Sequence, residues 1–428
     1  MALEDYRNNM LRCLRCSQCK WVPAPHVKSW RFAQICPSIS KYNFHAYSGG
    51  GRVIAALSLL MGRCELNDNL LDIIYQCQLC GACDVDCRAF HDHVEPLDVM
   101  RELRIKCVGE GYVLPEHQVV IGSLKSHDNM MEKPKEERGK WSEGLDIKDL
   151  TKKKGEVLFH AGCRLSYDQE QWPFVRKAVT LLKGAGVDVG ILGNSEVCCG
   201  GHAYNMGYVG ECVKYAENNR DAWRAAGVKK IVVACADGYG TLQNIYPKVL
   251  SDFSFEVVHI SQYVYQLIQE GKIELRKKLN MRVTYHDPCN LGRLGEHFDP
   301  WKGVEKRKKG ASGALIVFDP PKPGRHGIHG VYEEPRNIIK AIPGVKLIEM
   351  ERIKAHSWCC GAGGGVVDAY PDFGAETAKE RLEEAKSTGA EAIVTNCPWC
   401  YRILKDSAKQ FKYNIGVIDL MELVSRAM

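Results

Sequence analysis

Val197-Cys-Cys-Gly-Gly201 returns further along the chain as Trp358-Cys-Cys-Gly-Ala362. Outward from this pair, Phe159-His-Ala-Gly-Cys163 matches Tyr285-His-Asp-Pro-Cys289 on one side, and Ile231-Val-Val-Ala-Cys235 matches Ile393-Val-Thr-Asn-Cys397 on the other. Three matches in one order make residues 155–280 and 281–428 two copies of one module. Short β-branched runs such as Glu156-Val-Leu-Phe-His160 and Lys230-Ile-Val-Val-Ala234 alternate with amphipathic stretches, which specifies α/β layers.

The copies differ in length. Between Cys289 and Cys359 the second carries an insertion over residues 294–332. It contains the basic run Lys306-Arg-Lys-Lys309 and the stretch Asp319-Pro-Pro-Lys-Pro-Gly-Arg-His-Gly327, whose prolines and glycines specify irregular backbone. Such an excursion belongs on the surface, where loops carry contacts. Residues 1–122 hold ten cysteines among segments of helical periodicity. Leu97, Met100, Leu103 and Cys107 recur at helical intervals, behind Pro96 and ahead of Gly109 and Gly111, so this helix is expected to pack over the cysteine loops. Residues 123–154, with Lys152-Lys-Lys154 and few large apolar side chains, read as an exposed charged linker. The fold class is therefore α+β and multidomain: a helical N-terminal domain followed by two duplicated α/β modules.

Twenty cysteines in 428 residues, several of them two residues apart, suit metal ligation in a reducing compartment better than a secreted disulfide scaffold. Glu4, Asp5 and Arg7 stand where an export signal would begin, and the longest apolar stretch, residues 53–61, is far too short to cross a bilayer. A cytoplasmic location without membrane insertion is expected. The net charge of +6 is read as spread over the whole length, with no stacking or groove-reading motif, which argues against nucleic acid.

Cys77-Gln-Leu-Cys-Gly-Ala-Cys-Asp-Val-Asp-Cys87 has the spacing of the bacterial ferredoxin run, in which three thiolates on one loop hold three irons and the fourth serves a second cluster. Cys13-x-x-Cys16-x-x-Cys19 repeats the loop, and Cys36 before Pro37 supplies its fourth cysteine. The crossed pattern assigns Cys13, Cys16, Cys19 and Cys87 to one [4Fe–4S] cubane, and Cys77, Cys80, Cys83 and Cys36 to another within electron-transfer distance. Arg88 departs from the usual proline, and the gap from Cys19 to Cys36 is long. Structural zinc also uses Cys-x-x-Cys pairs, but rarely a third cysteine at the same interval.

In the second copy Cys289, Cys359, Cys360, Cys397 and Cys400 make five thiols. Adjacent cysteines fit poorly around one tetrahedral ion, whereas a multi-iron cluster offers separated ligand positions. Gly361, Gly363, Gly364 and Gly365 follow the pair, and their bare backbone could bring amides to sulfur; a phosphate-binding glycine loop is the alternative. A single cysteine, a distant Cys-Cys-Gly and a final Cys-x-x-Cys resemble the heterodisulfide reductase family, and the resemblance spans nearly the whole chain. It implies two α/β modules fused behind a ferredoxin-like domain, with a noncubane [4Fe–4S] cluster on the five cysteines of the second copy. The first copy keeps Cys163, Cys198, Cys199 and Cys235 but has Gly238 in place of a fifth cysteine, so a cubane or altered cluster is expected there. That loss weighs against disulfide reduction, which in the family uses two facing noncubane clusters. His160 and His286 read as hydrogen-bond partners of backbone or cluster sulfur, with proton donation to a substrate as the alternative. Cys64, Cys107 and Cys212 read as buried small hydrophobes.

The resemblance implies an iron–sulfur electron-transfer subunit of a hetero-oligomeric anaerobic oxidoreductase. Its expected partners are a flavoprotein similar to the flavin subunit of heterodisulfide reductase and a terminal reductase or dehydrogenase. The fused layout is similar to that of electron-transfer subunits of class II benzoyl-coenzyme A reductases. Two other functions share the motifs: catalytic disulfide reduction at the C-terminal cluster, and the iron–sulfur subunit of a hydroxy-acid or glycerol-phosphate dehydrogenase. No catalytic side chain is singled out. Lys306 to Lys309 read as a solvated loop, or as a dock for an acidic partner or a coenzyme A phosphate.

Overall fold

The computed structural model describes residues 2–88, 94–310, 313–322 and 327–428. The N-terminal part is helical, with Gly49–Leu60, Asp68–Tyr75, Ala82–Arg88, Pro96–Gly109 and Pro115–His127 joined by short turns. Local chemistry sets the starts. Ser48 accepts a hydrogen bond from Gly51 N–H, Asn67 accepts one from Leu70 N–H, and prolines occupy the first position of two helices. Val53, Ala56, Leu71, Ile74, Val99 and Leu103 close the core between them. Leu97, Met100, Leu103 and Cys107 are all buried, as their helical spacing requires.

The rest is α/β. Strands β1 (Lys148–Asp149), β2 (Val157–His160), β3 (Val189–Ile191), β4 (Lys230–Val233) and β5 (Glu256–His259) form a parallel sheet ordered β1-β3-β2-β4-β5. Strand β6 (Met281–Tyr285) precedes an antiparallel pair, β7 (Val304–Gly310) and β8 (Gly313–Asp319). It joins β9 (Val345–Leu347), β10 (Ala392–Thr395) and β11 (Gly416–Asp419) in a second parallel sheet ordered β11-β10-β6-β9. Exchanging β2, β3, β4 and β5 for β6, β9, β10 and β11 turns one order into the other, so the duplication extends to topology. Both faces of each sheet are covered. Phe159 and Val232 enter a core shared with Val283, Val394 and Leu420 of the second module, while Leu158, Ile231 and Val233 enter another with Ile393 and Leu404. Cys163, Cys235, Cys289 and Cys397 each follow the carboxyl end of β2, β4, β6 or β10, where parallel sheets open crevices. Among the described residues no helix is long and apolar enough to cross a membrane.

Three features differ from the sequence expectation. Residues 123–154 are no exposed linker: the helix Pro115–His127 runs across its start, Arg138 and Trp141 are buried, and β1 adds itself to the edge of the first sheet beside β3. The lysines that obscured this face solvent, while Trp141 and Leu150 supply the apolar anchors. The insertion is not irregular throughout, because β7 and β8 pair along their length, and its ends are pinned by buried Leu294, Val331 and Tyr332. Residues 311–312, and 323–326 of the proline- and glycine-rich stretch, lie outside the described residues. Cys107 and Cys212 are buried, but Cys64 is only partly so.

The three parts meet at Arg104, which is fully buried. Its guanidinium donates to the carbonyls of Ile74 (3.1 Å), Tyr75 (3.3 Å) and Cys77 (2.8 Å), to Asn205 of the first module (2.9 Å) and to Gly364 of the second (2.6 Å). The glycine run makes this possible. A Cβ on Gly364 would stand 2.6 Å from the Cys77 carbonyl, and one on Gly365 2.5 Å from His117 Nε2. Removing the guanidinium strands buried acceptors, each costing about 1–3 kcal/mol. Arg104→Met is therefore expected to lose at least about 3 kcal/mol of stability. Anaerobic urea unfolding of the full chain checks this, and an unchanged midpoint would contradict it.

Candidate metal centres

The backbone at Arg15 and Ser17 is left-handed (φ 58° and 69°), which winds Cys13, Cys16 and Cys19 into a tight loop. These three and Cys87 line one small cavity together with His45 and Gly50. Gly50 N–H donates to Cys19 Sγ (3.2 Å), and a Cβ on Gly50 would lie only 3.4 Å from that sulfur and 3.6 Å from Cys13 Sγ. Cys16 is exposed and Cys19 buried. The helix Ala82–Arg88 carries Cys83 and Cys87 one turn apart, so one helix serves two sites. Cys36 has Cys77 and Cys80 as its sulfur neighbours, and Cys83 has Cys77, Cys80 and Cys19. Met100 Sδ lies 3.9 Å from Cys77 Sγ. Burial pushes the Cys36 thiol up to about 12 and those of Cys83 and Cys87 upward too. Thiolates enclosed this way require a compensating cation, which bound iron supplies, so the donor set fits iron–sulfur clusters.

In the second module the sulfurs are continuous. Cys289, Cys360, Cys397 and Cys400 line one cleft, and Cys359 packs against Cys289 beside it. Cys359 also shares a buried cluster with Cys80 of the N-terminal domain. Hydrogen bonds from Cys359 and then Cys400 hold Cys360 well below the usual thiol range against the effect of burial. Gly361 N–H donates to Cys359 Sγ (3.3 Å) and Ala362 N–H to Cys360 Sγ (3.5 Å), so the amides after the pair do reach sulfur. Gly363 and Gly364 serve a different end: they admit the Cys77–Gln78 backbone, whose Gln78 carbonyl would stand 2.7 Å from a Cβ on Gly363. Arg381 Nε donates to His286 Nδ1 (3.1 Å), which leaves the proton of a neutral ring on Nε2, facing Cys360. His286, Cys360 and Cys400 place their donor atoms within 4.8 Å of one another.

The first module gathers Cys163, Cys198 and Cys199 in a row, the first two packed in one buried cluster. Cys235 is drawn to its sister module instead, where Cys397 is the neighbour that raises its thiol pKa most. Behind the row, buried Arg138 donates to Cys163 Sγ (3.5 Å) and to Glu196 (2.8 Å). Glu196 accepts from Ala161 and Gly162 N–H and faces His160 Nδ1 at 3.3 Å. Burial opposes charge on both, yet their mutual attraction raises the His160 pKa and, with Arg138, holds Glu196 down to about 2. His160 therefore has a carboxylate as its ion-pair neighbour and, among the described residues, no hydrogen-bond partner on either ring nitrogen, where the sequence reading has a hydrogen bond to backbone or sulfur. Asp237, two residues after Cys235, reaches the second module's cysteines and accepts from Asn290; burial, then the Cys397 charge, pushes it up to about 7.

Arginines were the unforeseen part. Arg52 donates to the Ile73 (2.7 Å) and Gln76 (2.6 Å) carbonyls and lowers the Cys36 thiol. Arg293 joins the Cys80 carbonyl (2.6 Å) to those of Ala355 (2.8 Å) and Ser357 (2.7 Å). Isolated arginines carry no spacing signal, since their partners are carbonyls far away in sequence. Because Cys16 is the most open of the candidate ligands, its set is the one expected to lose iron first in air. Cys16→Ser should lower iron by about four atoms per chain and leave the remaining visible absorbance intact. Loss of all iron from that variant would contradict independent sites.

Residues 9–90 match a family described as a 4Fe-4S dicluster domain, and residues 157–243 and 318–405 match the cysteine-rich domain CCG. The chain is 30% identical to one subunit of the dihydromethanophenazine:CoB–CoM heterodisulfide reductase of Methanosarcina mazei, over 97% of this chain and 93% of that protein. It is 30% identical to the EtfAB:quinone oxidoreductase of Syntrophomonas wolfei, over 83% of this chain but 47% of the relative. A crystal structure of a hypothetical protein from Helicobacter pylori shares the fold, with a TM-score of 0.55 and 12% identity over 89% of this chain and 68% of the other. With one dicluster domain followed by two CCG domains, and with likeness to the reductase subunit along nearly its whole length, the chain belongs to the heterodisulfide reductase family of iron–sulfur oxidoreductase subunits.

Proposed function

We propose that the chain is the electron-transfer subunit of a hetero-oligomeric anaerobic oxidoreductase, linking a flavoprotein similar to the flavin subunit of heterodisulfide reductase to a terminal enzyme. The terminal enzyme of this reading is a benzoyl-coenzyme A reductase, on the fused layout. Cys13, Cys16, Cys19 and Cys87 would hold one cubane, and Cys36, Cys77, Cys80 and Cys83 another. Cys289, Cys359, Cys360, Cys397 and Cys400 would hold a noncubane cluster, and Cys163, Cys198, Cys199 and Cys235 a cubane or altered one. Such clusters supply one-electron storage at potentials tuned by charge, hydrogen bonds and exposure.

The observation that carries the reading is the packing of Cys80 and Cys359 in one buried cluster with Cys289 against it, which supports direct contact between the two ligand sets. Arg293 fixes that contact by holding the Cys80 carbonyl against the Ala355 and Ser357 carbonyls. A second junction, Cys235 to Cys397, joins the modules. The protein's part is thus to fix spacing and to exclude water.

A second reading, direct disulfide reduction, is favoured by a cleft at the complete set, lined by Cys289, Cys360, Cys397, Cys400, Asp237 and Trp399. Gly238 separates the two readings. It is helical, and a Cβ there would press on Val233 Cγ1 at 3.1 Å and touch Cys235 Cβ at 3.9 Å, so a cysteine fits once the Val233 side chain gives slightly. Reconstituted full chain is expected to carry about sixteen irons and to reduce no disulfide with a viologen donor. Gly238→Cys is expected to change the electron paramagnetic resonance of one cluster without lowering iron. Parent turnover of a thiol disulfide would favour the second reading, and an iron content of about eight would remove clusters from the modules.

A further inference from the structure

The positive charge is not evenly distributed. From Tyr6 to Cys64 the chain has nine arginines and lysines and no aspartate or glutamate, so the remainder of this +6 chain is net negative. The same segment exposes large apolar side chains: Trp30 at 87%, Leu14 at 66%, Phe44 at 63% and Leu11 at 51% of their surface. These sit around the loop that carries the exposed Cys16. Leu14 lines the cavity of Cys13, Cys16, Cys19 and Cys87, Phe44 adjoins its lining residue His45, and Trp21 and Trp30 form a groove with Gln18 and Lys28. The β7–β8 hairpin extends this face. Arg12 donates to Glu305 (2.7 Å) and lies over Phe318 (5.3 Å), which ties the hairpin to this segment; exposed Lys308 and Lys309 stand further along the same strand, on its two faces.

Resting on the electron-transfer reading, we propose that this face is the docking surface for an acidic redox protein that exchanges electrons at the Cys13, Cys16, Cys19, Cys87 site. An apolar centre with aromatic anchors inside a charged rim is the anatomy of a protein interface. Glu305, Glu380 and Glu376 offset Arg12, Arg31 and Lys41, and the basic excess that remains in the segment steers an oppositely charged partner and raises the association rate. An anionic lipid surface would satisfy the charge and the tryptophans, but it brings no electron to the sulfur that lies open here. The hairpin, present only in the second module, acquires a role as the outer wall of the dock.

The test uses full-length, reconstituted chain and a small acidic ferredoxin as probe, with binding followed by biolayer interferometry and reduction by stopped flow. Lys28→Glu/Lys308→Glu/Lys309→Glu and Trp30→Ala alter exposed positions and are expected to keep the parent iron content. Each should weaken ferredoxin binding at least tenfold, and the parent's binding should weaken steeply with added salt. Photoreduced deazaflavin, a small neutral donor, should reduce the variants at the parent rate. Variants that bind ferredoxin within twofold of the parent would overturn the surface, as would tight binding to phosphatidylglycerol vesicles with none to ferredoxin. Failure of deazaflavin to reduce even the parent would sink the electron-transfer reading, and the binding arm would still decide the surface.

Discussion

One buried guanidinium organises this protein. Arg104 gathers carbonyls from the ferredoxin loop, the first module and the second, its two terminal nitrogens serving five acceptors in one small space. The contact is also restrictive. It demands that Gly364 and Gly365 lack side chains, and it fixes the Cys77 loop against the Cys-Cys-Gly turn, so the candidate metal sites inherit their separations from it. Arg293 repeats the device at Cys80 and Arg138 within the first module, each a cation beside sulfur and backbone oxygen.

These cations answer an electrostatic difficulty. Seventeen candidate ligand thiols lie mostly out of water, and burial alone drives them toward the neutral form. Oriented N–H groups at Gly50, Gly361 and Ala362, together with buried arginines, make the sites hospitable to negative charge before any metal contributes. The modules solve this differently. The first places a Glu196–Arg138–His160 cluster behind its cysteines, whereas the second uses His286 polarised by Arg381.

Much of the architecture was legible because metal chemistry imposes local spacing. The Cys-x-x-Cys loops, the repeated Cys-Cys-Gly and the β-branched runs predict a helical domain and two α/β modules, which is the fold observed. Sequence reasoning failed where long-range contact decides. Trp141 and β1 sit in a stretch whose lysines suggest solvent, and only pairing with β3 reveals it as the edge of a sheet. The β7–β8 pairing was masked by flanking prolines and glycines. The attraction of Cys235 to Cys397 follows from how the modules face one another, which no single-module motif encodes.

That cross-module contact bears on how the protein is made. Cys360, Cys397 and Cys400 are at most 5% exposed, and their neighbours come from both halves of the duplication and from the N-terminal domain. An assembly scaffold delivering an inorganic core meets these sulfurs only through the narrow cleft that they line. Insertion of the core is therefore coupled to the closing of the two halves around it, so that iron supply and the final folding step are linked.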